Sequence, residues 1–492
     1  MATSSLLEFP TEILILISEN LSDLKDNLNF SRCSRRIYNA TIPAAYKKIR
    51  LYNPSCQSLS SLLHTLKRNP RLASSVDKLT LLHWDTDLNA DVDGLGFDSP
   101  SKPPNTGLRF DKDLIAEAII NATPPEDWEQ VSDWRRDLEA GNSDAWIGLI
   151  ILAVPRLRSL SLNVPYNWQY CQRIVPRVAA KASPFDIHPA LEHVTRLSFA
   201  WWDTEGGLDA SEVLPFLNLP SLQLFQGHMV VEGYAGGEEE FLETNEFVEP
   251  TSSITSIILN CSNGQHGFAG LISSCKNLRS FKYEHADGGV TGETFDISKF
   301  RRSLSVAKKT LEVLHLDYDS GHYSLGADGE NHPFGSFADF VVLKKLHMRL
   351  PNLIDTGYTY PKPTMTLSEV LPPSIETLTI AEASDQCLGF LETEVINLVQ
   401  HKTNRFPHLR SLRISGSFVQ HDKLMNYQEI SKLSHNQRSS HLLREEVKTI
   451  EKRLFEACES YGVSFMLFDP HVDWWVGCHV GARSRQSTID IQ

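Results

Sequence analysis

Basic, histidine and hydroxyl side chains recur at fixed places in this sequence, two and four residues after the start of a short apolar signature. The most prominent are Arg196, Lys282, Lys345, His347 and Arg413. Among twenty such positions five residues are Lys or Arg, two are His and none is acidic. Such groups make charge-assisted hydrogen bonds to carboxylates and phosphates. The pattern predicts a surface that binds an acidic or phosphorylated segment of a target protein, and an ordinary solvated face is the alternative.

Trp201 and Trp202 come just after one of these signatures. A tryptophan at the exit of a strand can anchor a binding partner, because its large ring buries much area at little cost in conformational entropy. Packing beneath the next loop is an equally good interpretation. We retain Trp201 as a candidate target-binding residue.

Other spacings that would support catalysis or metal binding are incomplete. Residues Asn89-Ala-Asp91-Val-Asp93-Gly94 place oxygen ligands as a calcium loop does, but the twelfth position is Pro100 and not the bidentate Glu. The eighteen histidines and eight cysteines lack the spacing of a zinc site, and neither Gly-x-Ser-x-Gly nor His-Glu-x-x-His occurs. We therefore expect no catalytic residues, no bound metal and no cofactor.

The elements that position the recurring side chains are marked by the signature itself, which reads apolar-x-x-apolar-x-apolar. Clear copies are Leu311-Glu-Val-Leu314-His-Leu316 and Leu409-Arg-Ser-Leu412-Arg-Ile414. The ten copies begin at Val76, Leu157, Val194, Leu219, Ile254, Leu278, Leu311, Leu343, Ile375 and Leu409. Self-similarity at this period predicts stacked repeats, which offer a long binding surface instead of a single pocket.

The signature is too short for a helix and alternates at its end, as a strand does. Helical stretches separate the copies, for example at residues 145–153, 298–308 and 392–403. Strands that alternate with helices predict a parallel sheet with right-handed crossovers. The expected fold class is α/β: an irregular solenoid over residues 51–470, with parallel strands on the concave face and helices outside.

Several boundaries of this solenoid can also be predicted. Polar or Gly-rich segments at residues 85–107, 232–250 and 317–335 are expected to be surface loops. A helix at 444–461 and a strand at 463–468 are expected to close the C-terminal end, and residues 471–492 to form a tail.

Composition narrows the class of protein. The chain has 492 residues, of which 41% are apolar and 22% charged, so it is long enough for several domains or one long solenoid. Its net charge of −14 argues against general binding of nucleic acid. No apolar run approaches the roughly 18 residues of a membrane span, and the N-terminus lacks the basic start of a secretory signal. Scattered cysteines favour a reduced compartment, so we expect a cytoplasmic or nuclear protein.

The first fifty residues differ from the rest. Ile13 to Ile17 is a run of five apolar residues, and Pro10 and Glu12 before it favour a helix of about three turns. A second helix is expected at 25–38, and Pro43 is expected to break the chain after it. A helix that is apolar all round cannot be covered completely in so small a domain, which predicts an interaction patch. Packing on the first repeat is the alternative.

The first fifty residues resemble an F-box. The resemblance is carried by Phe9-Pro10, Glu12-Ile13-Leu14, Ile17, Leu21, Asn27-Leu28, Cys33 and Arg35-Arg36. Phe9 replaces the usual Leu, and Tyr38 alone represents the aromatic residue that often follows the Cys. The rest of the chain resembles leucine-rich repeats in the long, irregular form of fungal and plant F-box proteins. Asn163 and Asn260 lie in or near the place of the Asn or Cys that usually follows the repeat strand.

The two resemblances together imply the substrate-recognition subunit of a Skp–cullin–F-box ubiquitin ligase. The F-box, residues 1–50, would bind a Skp-type adaptor and through it a cullin–RING ligase, while the repeats hold an unknown target protein for ubiquitination. The adaptor-binding residues would be Phe9, Pro10, Ile13, Leu14, Ile17, Leu21, Leu28 and Cys33. The target-binding residues would be Arg196, Trp201, Lys282, Lys345, His347 and Arg413.

Two other classes of protein remain as alternatives. The first is a non-catalytic repeat scaffold that binds proteins without assembling a ligase. The second is a polysaccharide-cleaving enzyme on a parallel β-helix, which needs paired carboxylates on its strand faces. The twenty outward positions contain no carboxylate, so we expect no enzyme.

Overall fold

The computed structural model describes residues 6–21, 24–84, 108–203, 206–232, 249–286, 295–318, 332–355, 365–419 and 442–470. They form two compact units. The first comprises the described residues of Met1–Ser262 and Ser273–Lys276, and the second those of Asn263–Ile272, Asn277–Asp287 and Gly292–Gln492. The loops predicted at 85–107 and 232–250 lie almost wholly outside the described residues, and the tail at 471–492 lies wholly outside them. The predicted start of the third loop at residue 317 is wrong, because Asp317 and Tyr318 belong to the strand Val313–Tyr318; residues 319–331 lie outside the described residues.

Three helices begin the chain after a 3-10 turn at Leu6–Glu8. They are α1 (Thr11–Glu19), α2 (Leu24–Arg32) and α3 (Arg35–Ala45). Leu14, Ile37 and Ala40 form their buried core, with Phe30 packed against it. The predicted helix at the start of the chain is confirmed.

The single second helix predicted at 25–38 is wrong, because the chain breaks between α2 and α3. Ser34 takes an extended conformation there, and its hydroxyl accepts a hydrogen bond from the Ile37 backbone N–H at 3.1 Å. A serine in this place satisfies one of the first free N–H groups of a helix and so starts a new one. Pro43, expected to break the chain, lies inside α3 in its last turns.

Six long strands of the first unit form one parallel series, in which each strand pairs with the next. They are β1 (Lys48–Tyr52), β2 (Lys78–Leu82), β3 (Ser159–Val164), β4 (Arg196–Trp201), β6 (Leu224–His228) and β8 (Ser256–Ser262). Short strands β5 (Leu208–Asp209) and β7 (Val230–Val231) pair separately. The helices are α4 (Cys56–Arg68), α5 (Pro70–Ala73), α6 (Lys112–Ile120), α7 (Trp128–Ala140), α8 (Ser143–Leu152), α9 (Tyr170–Ala179) and α10 (Ala210–Val213), with a 3-10 helix at Leu214–Asn218.

The second unit repeats the arrangement with six more parallel strands. They are β9 (Ser280–His285), β10 (Val313–Tyr318), β11 (Lys345–Arg349), β12 (Thr377–Ser384), β13 (Ser411–Ser417) and β14 (Ser464–Phe468). The remaining helices are α11 (Ala269–Ser273), α12 (Ile297–Leu304), α13 (Leu350–Leu353), α14 (Leu367–Val370), α15 (Leu388–Gln400), α16 (Lys402–Arg405) and α17 (Glu445–Ser460), with 3-10 turns at Ser305–Ala307 and Asp385–Cys387. The predicted α/β class, parallel strands and closing helix and strand are confirmed.

The core of each unit is built from the fourth and sixth signature positions. Leu314 and Leu412, predicted to be buried, both have 0% exposure. Each faces an apolar register partner on the next strand, as Leu314 faces Phe281 and Leu346. Burying one such side chain contributes about 1.5–3 kcal/mol. The third and fifth positions point to the opposite face, which we call the strand face.

The predicted register of the fourth signature is wrong by three residues. Arg196 pairs with Leu224, so Leu224 and Gln226 lie on the strand face and not Ser221 and Gln223. Gly227 then occupies the sixth position, where the other copies have an apolar side chain, so the signature is not apparent in the sequence. A β-carbon at Gly227 would lie 2.5 Å from a Val230 methyl group and 2.9 Å from one of Leu259. Only glycine fits at this place in the core.

The first strand of the repeats was not predicted from the sequence, and neither were the short strands β5 and β7. Strand β1 begins at Lys48, before the predicted boundary at residue 50, and it pairs in register with β2. Tyr46-Lys-Lys-Ile49-Arg-Leu51 fits the apolar signature as well as the ten copies do. The stack of strands therefore starts immediately after α3.

Candidate functional site

The strand face of the second unit brings together four of the predicted target-binding residues. Lys282, Lys345 and Arg413 are exposed there, on β9, β11 and β13, and His347 is half-buried. With parallel strands about 4.8 Å apart, Lys282 and Arg413 are separated by about 19 Å across four strand spacings. Their charges therefore form a stripe across the strands, and not a single cluster. Arg196 is exposed on the strand face of the first unit.

The strand face also carries acidic residues, which lie just beyond the six positions of the apolar signature. Strands β9 and β10 extend to the seventh position, so Glu284 and Asp317 pair on this same face. His347 Nε2 lies 2.5 Å from Asp317 Oδ2. The strand face is therefore mixed in charge, and the predicted absence of acidic residues holds only for the third and fifth signature positions. His347 interacts with a carboxylate of its own chain.

His315 completes this cluster; it is one of the two histidines at the outward signature positions, but it is not among the predicted target-binding residues. Its ring stacks on that of His347, with 3.8 Å between ring centroids and planes 15° apart. Burial, with the neighbouring His347, lowers the pKa of His315 to about 4. The imidazole is therefore neutral at neutral pH. A signal was present in the sequence, because His recurs at the fifth position of two successive repeats.

A buried ion pair lies beside the cluster. Arg349 is 4% exposed, and its Nε donates to Glu382 Oε2 at 2.6 Å while an Nη donates to Asn352 Oδ1 at 2.9 Å. The guanidinium also lies 3.7 Å from the centre of the Tyr318 ring. The two hydrogen bonds and the ring contact together hold this buried charge in one geometry. Arg349 therefore fixes the end of β11 next to His347.

Trp201 does not present its ring to a partner, so its predicted role as an anchor is wrong. Its exposure is 7%, and its ring packs edge-on against Tyr166 at 4.7 Å between centroids. It is the last residue of β4, where the alternation turns its side chain inward. Trp202 is 37% exposed and lies 5.7 Å from the same Tyr166 ring. Trp202 is thus the tryptophan of this pair that is open to solvent.

Asn163 occupies the place of the asparagine in the leucine-rich-repeat pattern. Its side-chain oxygen accepts a hydrogen bond from the His83 N–H at 3.1 Å. Its amide donates to the carbonyls of Ala200 and Trp201 at 3.0 and 3.1 Å. One side chain thereby satisfies backbone groups of the repeats on both sides, just where the strands end. This function explains why an asparagine is needed there.

The predicted adaptor-binding residues fall into three groups. Phe9, Pro10, Ile13 and Cys33 are exposed, while Ile17, Leu21 and Leu28 are half-buried. Leu14 has 0% exposure and belongs to the core of the three helices, so its predicted direct contact with an adaptor is wrong. Leu16, which was not selected, is 55% exposed. The apolar run puts Ile13 and Leu16 three residues apart on the outer side of α1 and Leu14 on its inner side.

The fold and the strand face define a class: a repeat protein with stacked parallel strands and a polar strand face. The family model of the leucine-rich repeat domain matches residues 52–426, which is more than half of the chain. The protein belongs to the leucine-rich repeat family. The matched region begins after the three N-terminal helices, so it gives the F-box resemblance no support. No curated protein matches the chain.

Leucine-rich repeats present a long surface for contact with other proteins, which agrees with the predicted use of the strand face in general terms. The described helices include none that is both long enough and apolar enough to cross a membrane.

Proposed function

We propose that this protein is the substrate-recognition subunit of a Skp–cullin–F-box ubiquitin ligase. The repeats hold a target protein, and the N-terminal helices attach it to a Skp-type adaptor and a cullin–RING ligase. The chain itself performs no catalysis and needs no cofactor, and it acts in the cytoplasm or nucleus. The proposal depends on the order of the two parts: an F-box-like helical segment directly before a leucine-rich repeat domain.

The observation that carries the adaptor proposal is the apolar surface on and before α1. Leu6, Phe9, Ile13 and Leu16 have exposures of 41, 38, 40 and 55%. The Arg36 guanidinium donates a hydrogen bond to the Phe9 carbonyl at 2.8 Å, which connects this segment to α3. Four large apolar residues within eleven positions form a patch that a protein partner would cover. We call these four residues the helix patch.

The strand face of the second unit is the proposed site for the target. Lys282, Lys345 and Arg413 are exposed, and an acidic or phosphorylated segment that lies across the strands can meet them in turn. Exposed contacts of this kind contribute only about 0–1 kcal/mol each. Affinity would therefore come from several contacts together, with marked salt dependence.

A repeat scaffold without ligase function is the second candidate. It is favoured by the family match, which covers the repeats and leaves out the N-terminal helices. In that case the helix patch would serve a different partner.

Affinity capture with mass spectrometry separates the two candidates. The full chain is compared with a chain that starts at Tyr46, because this truncation removes α1 to α3 and leaves β1 complete. The ligase proposal expects adaptor and cullin with the full chain only, and the same target with both. Target proteins recovered from both chains, with no adaptor or cullin from either, would contradict the ligase role and support a scaffold.

A further inference from the structure

The strand face holds a group of metal-ligand side chains on β10 and β11. Ligand atoms of His315, Asp317 and His347 all lie within 4.8 Å of one another. We propose that these three residues form a binding site for a divalent transition-metal ion of the zinc class. This site does not depend on the proposed ligase function.

The backbone brings the three side chains together before any ion binds. His315 and His347 are register partners on adjacent parallel strands. Asp317 follows His315 by two residues on the same strand and therefore lies on the same face. Two of the three ligands are thus on one strand and the third is on its hydrogen-bonded neighbour. Binding of an ion would therefore need little rearrangement of the main chain.

Small side-chain movements convert the observed arrangement into metal geometry. Zinc–nitrogen and zinc–oxygen bonds of about 2.0–2.1 Å place ligand atoms about 3.4 Å apart in a tetrahedral site. The His347 Nε2–Asp317 Oδ2 distance is 2.5 Å, so a hydrogen bond joins the two atoms, and an ion that binds between them would replace it. The stacked rings are 3.8 Å apart, and rotation of one imidazole about its soft terminal torsion turns a nitrogen toward the ion.

The chemistry and charge of the site suit such an ion. Imidazole and carboxylate ligands together favour zinc and its neighbours over magnesium or calcium, which prefer oxygen alone. Lys282 is the register partner of His315 and opposes a cation, but Glu284 is the partner of Asp317 and offsets that charge. Asp317 in turn offsets Lys345, which lies two residues before His347 on the same face, so these four charges balance and leave no net positive charge to repel a cation. The side chains of Asp317 and His347 keep 14 and 24% exposure, which leaves a path for the ion and an open fourth position.

Calorimetric titration of the chelator-treated full chain with Zn²⁺ tests the proposal. We expect one ion per chain to bind with an affinity that His347→Ala and Asp317→Asn each lower by at least about 100-fold. Removing a residue that only hydrogen-bonds to a metal ligand lowers metal affinity by about 10–100-fold, so removing a ligand itself should lower it by no less. His408→Ala is the matched control, because His408 is an exposed histidine of the same unit outside the cluster, and it should bind as the unchanged chain does.

Co²⁺ supplies a second measurement, since its visible absorption strengthens markedly when a four-coordinate protein site replaces the six waters of the free ion. The band expected from the unchanged chain should be absent in both cluster variants. Asp317→Asn conserves size and shape, so an unchanged melting temperature without metal shows that it is folded. Binding that is absent from the unchanged chain, or that persists equally in both cluster variants, would overturn the proposal.

Discussion

The helix patch allows a quantitative prediction for adaptor binding. Full burial of an Ile or Leu side chain contributes about 1.5–3 kcal/mol. Ile13 and Leu16 still expose 40 and 55% of their surface. Covering the rest therefore stabilises a complex by about 0.6–1.2 kcal/mol at Ile13 and about 0.8–1.7 kcal/mol at Leu16. Their sum is about 1.4–2.9 kcal/mol, which corresponds to a change in Kd of about 10-fold to 100-fold.

The double change Ile13→Ala and Leu16→Ala should weaken binding of a purified Skp-type adaptor by this factor. Biolayer interferometry on the full chain measures the Kd. The melting temperature should fall as well, because about half of each side chain is already buried in the folded chain, so the Kd is measured at a temperature at which the variant is still folded. Ile120→Ala is the matched control, since Ile120 is 61% exposed at the end of α6, outside the helix patch.

Leu14→Ala separates folding from binding. Leu14 is fully buried, so its loss should lower the free energy of unfolding by about 2–5 kcal/mol. Any loss of adaptor binding by that variant would follow from unfolding of the helices. An unchanged Kd for the double variant, with tight binding by the unchanged chain, would refute the role of the helix patch. Equal weakening by Ile120→Ala would refute it too.

Three other perturbations test the repeats. In a denaturant titration, Leu412→Ala should lower the free energy of unfolding by about 2–5 kcal/mol. Arg413→Ala changes the exposed neighbouring residue and should lower it by less than about 0.5 kcal/mol. Equal losses from the two changes would contradict the repeat register. The triple change Lys282→Ala, Lys345→Ala and Arg413→Ala should reduce the binding free energy of the target by up to about 3 kcal/mol and make it less dependent on salt, while adaptor binding stays intact. If the target is captured equally well at the same salt concentration, its binding site lies elsewhere. Burial raises the pKa of Asp144 from 3.8 to about 6, so between these values Asp144 is protonated in the folded chain and ionised in the unfolded chain. As pH falls from about 6 to 4, the folded chain should gain about 2 kcal/mol of stability relative to Asp144→Asn, because each pH unit contributes at most about 1.4 kcal/mol. Parallel pH curves of unfolding free energy for the two proteins would disprove this.

The sequence by itself determined the elements that depend on local pattern. Alternation with period two identified strands such as Val313–Tyr318 and Ser411–Ser417 and separated their core face from their strand face. Neighbouring residues of one strand must point to opposite sides, whatever the rest of the chain does. Leu314 and Lys345 could for this reason be assigned correctly to core and surface, and so could the helix Glu445–Ser460.

Tertiary structure decided what depends on residues far apart in the chain. In the apolar run Ile13 to Ile17 of α1, period alone could not show that Leu14 faces the core while Leu16 faces solvent, because packing against α3 selects the buried side. The fourth repeat was misassigned because Leu219, Leu222 and Leu224 imitate the signature, while the true register needs Gly227 to fit against Val230 and Leu259.

The metal-ligand cluster shows the same division. His315 and Asp317 are two residues apart, but His347 is a full repeat later, and only the parallel pairing of β10 with β11 makes it their neighbour. The sequence placed both histidines on the strand face. Hydrogen bonding between strands brought them into contact, and that long-range pairing is the physical step that local pattern does not contain.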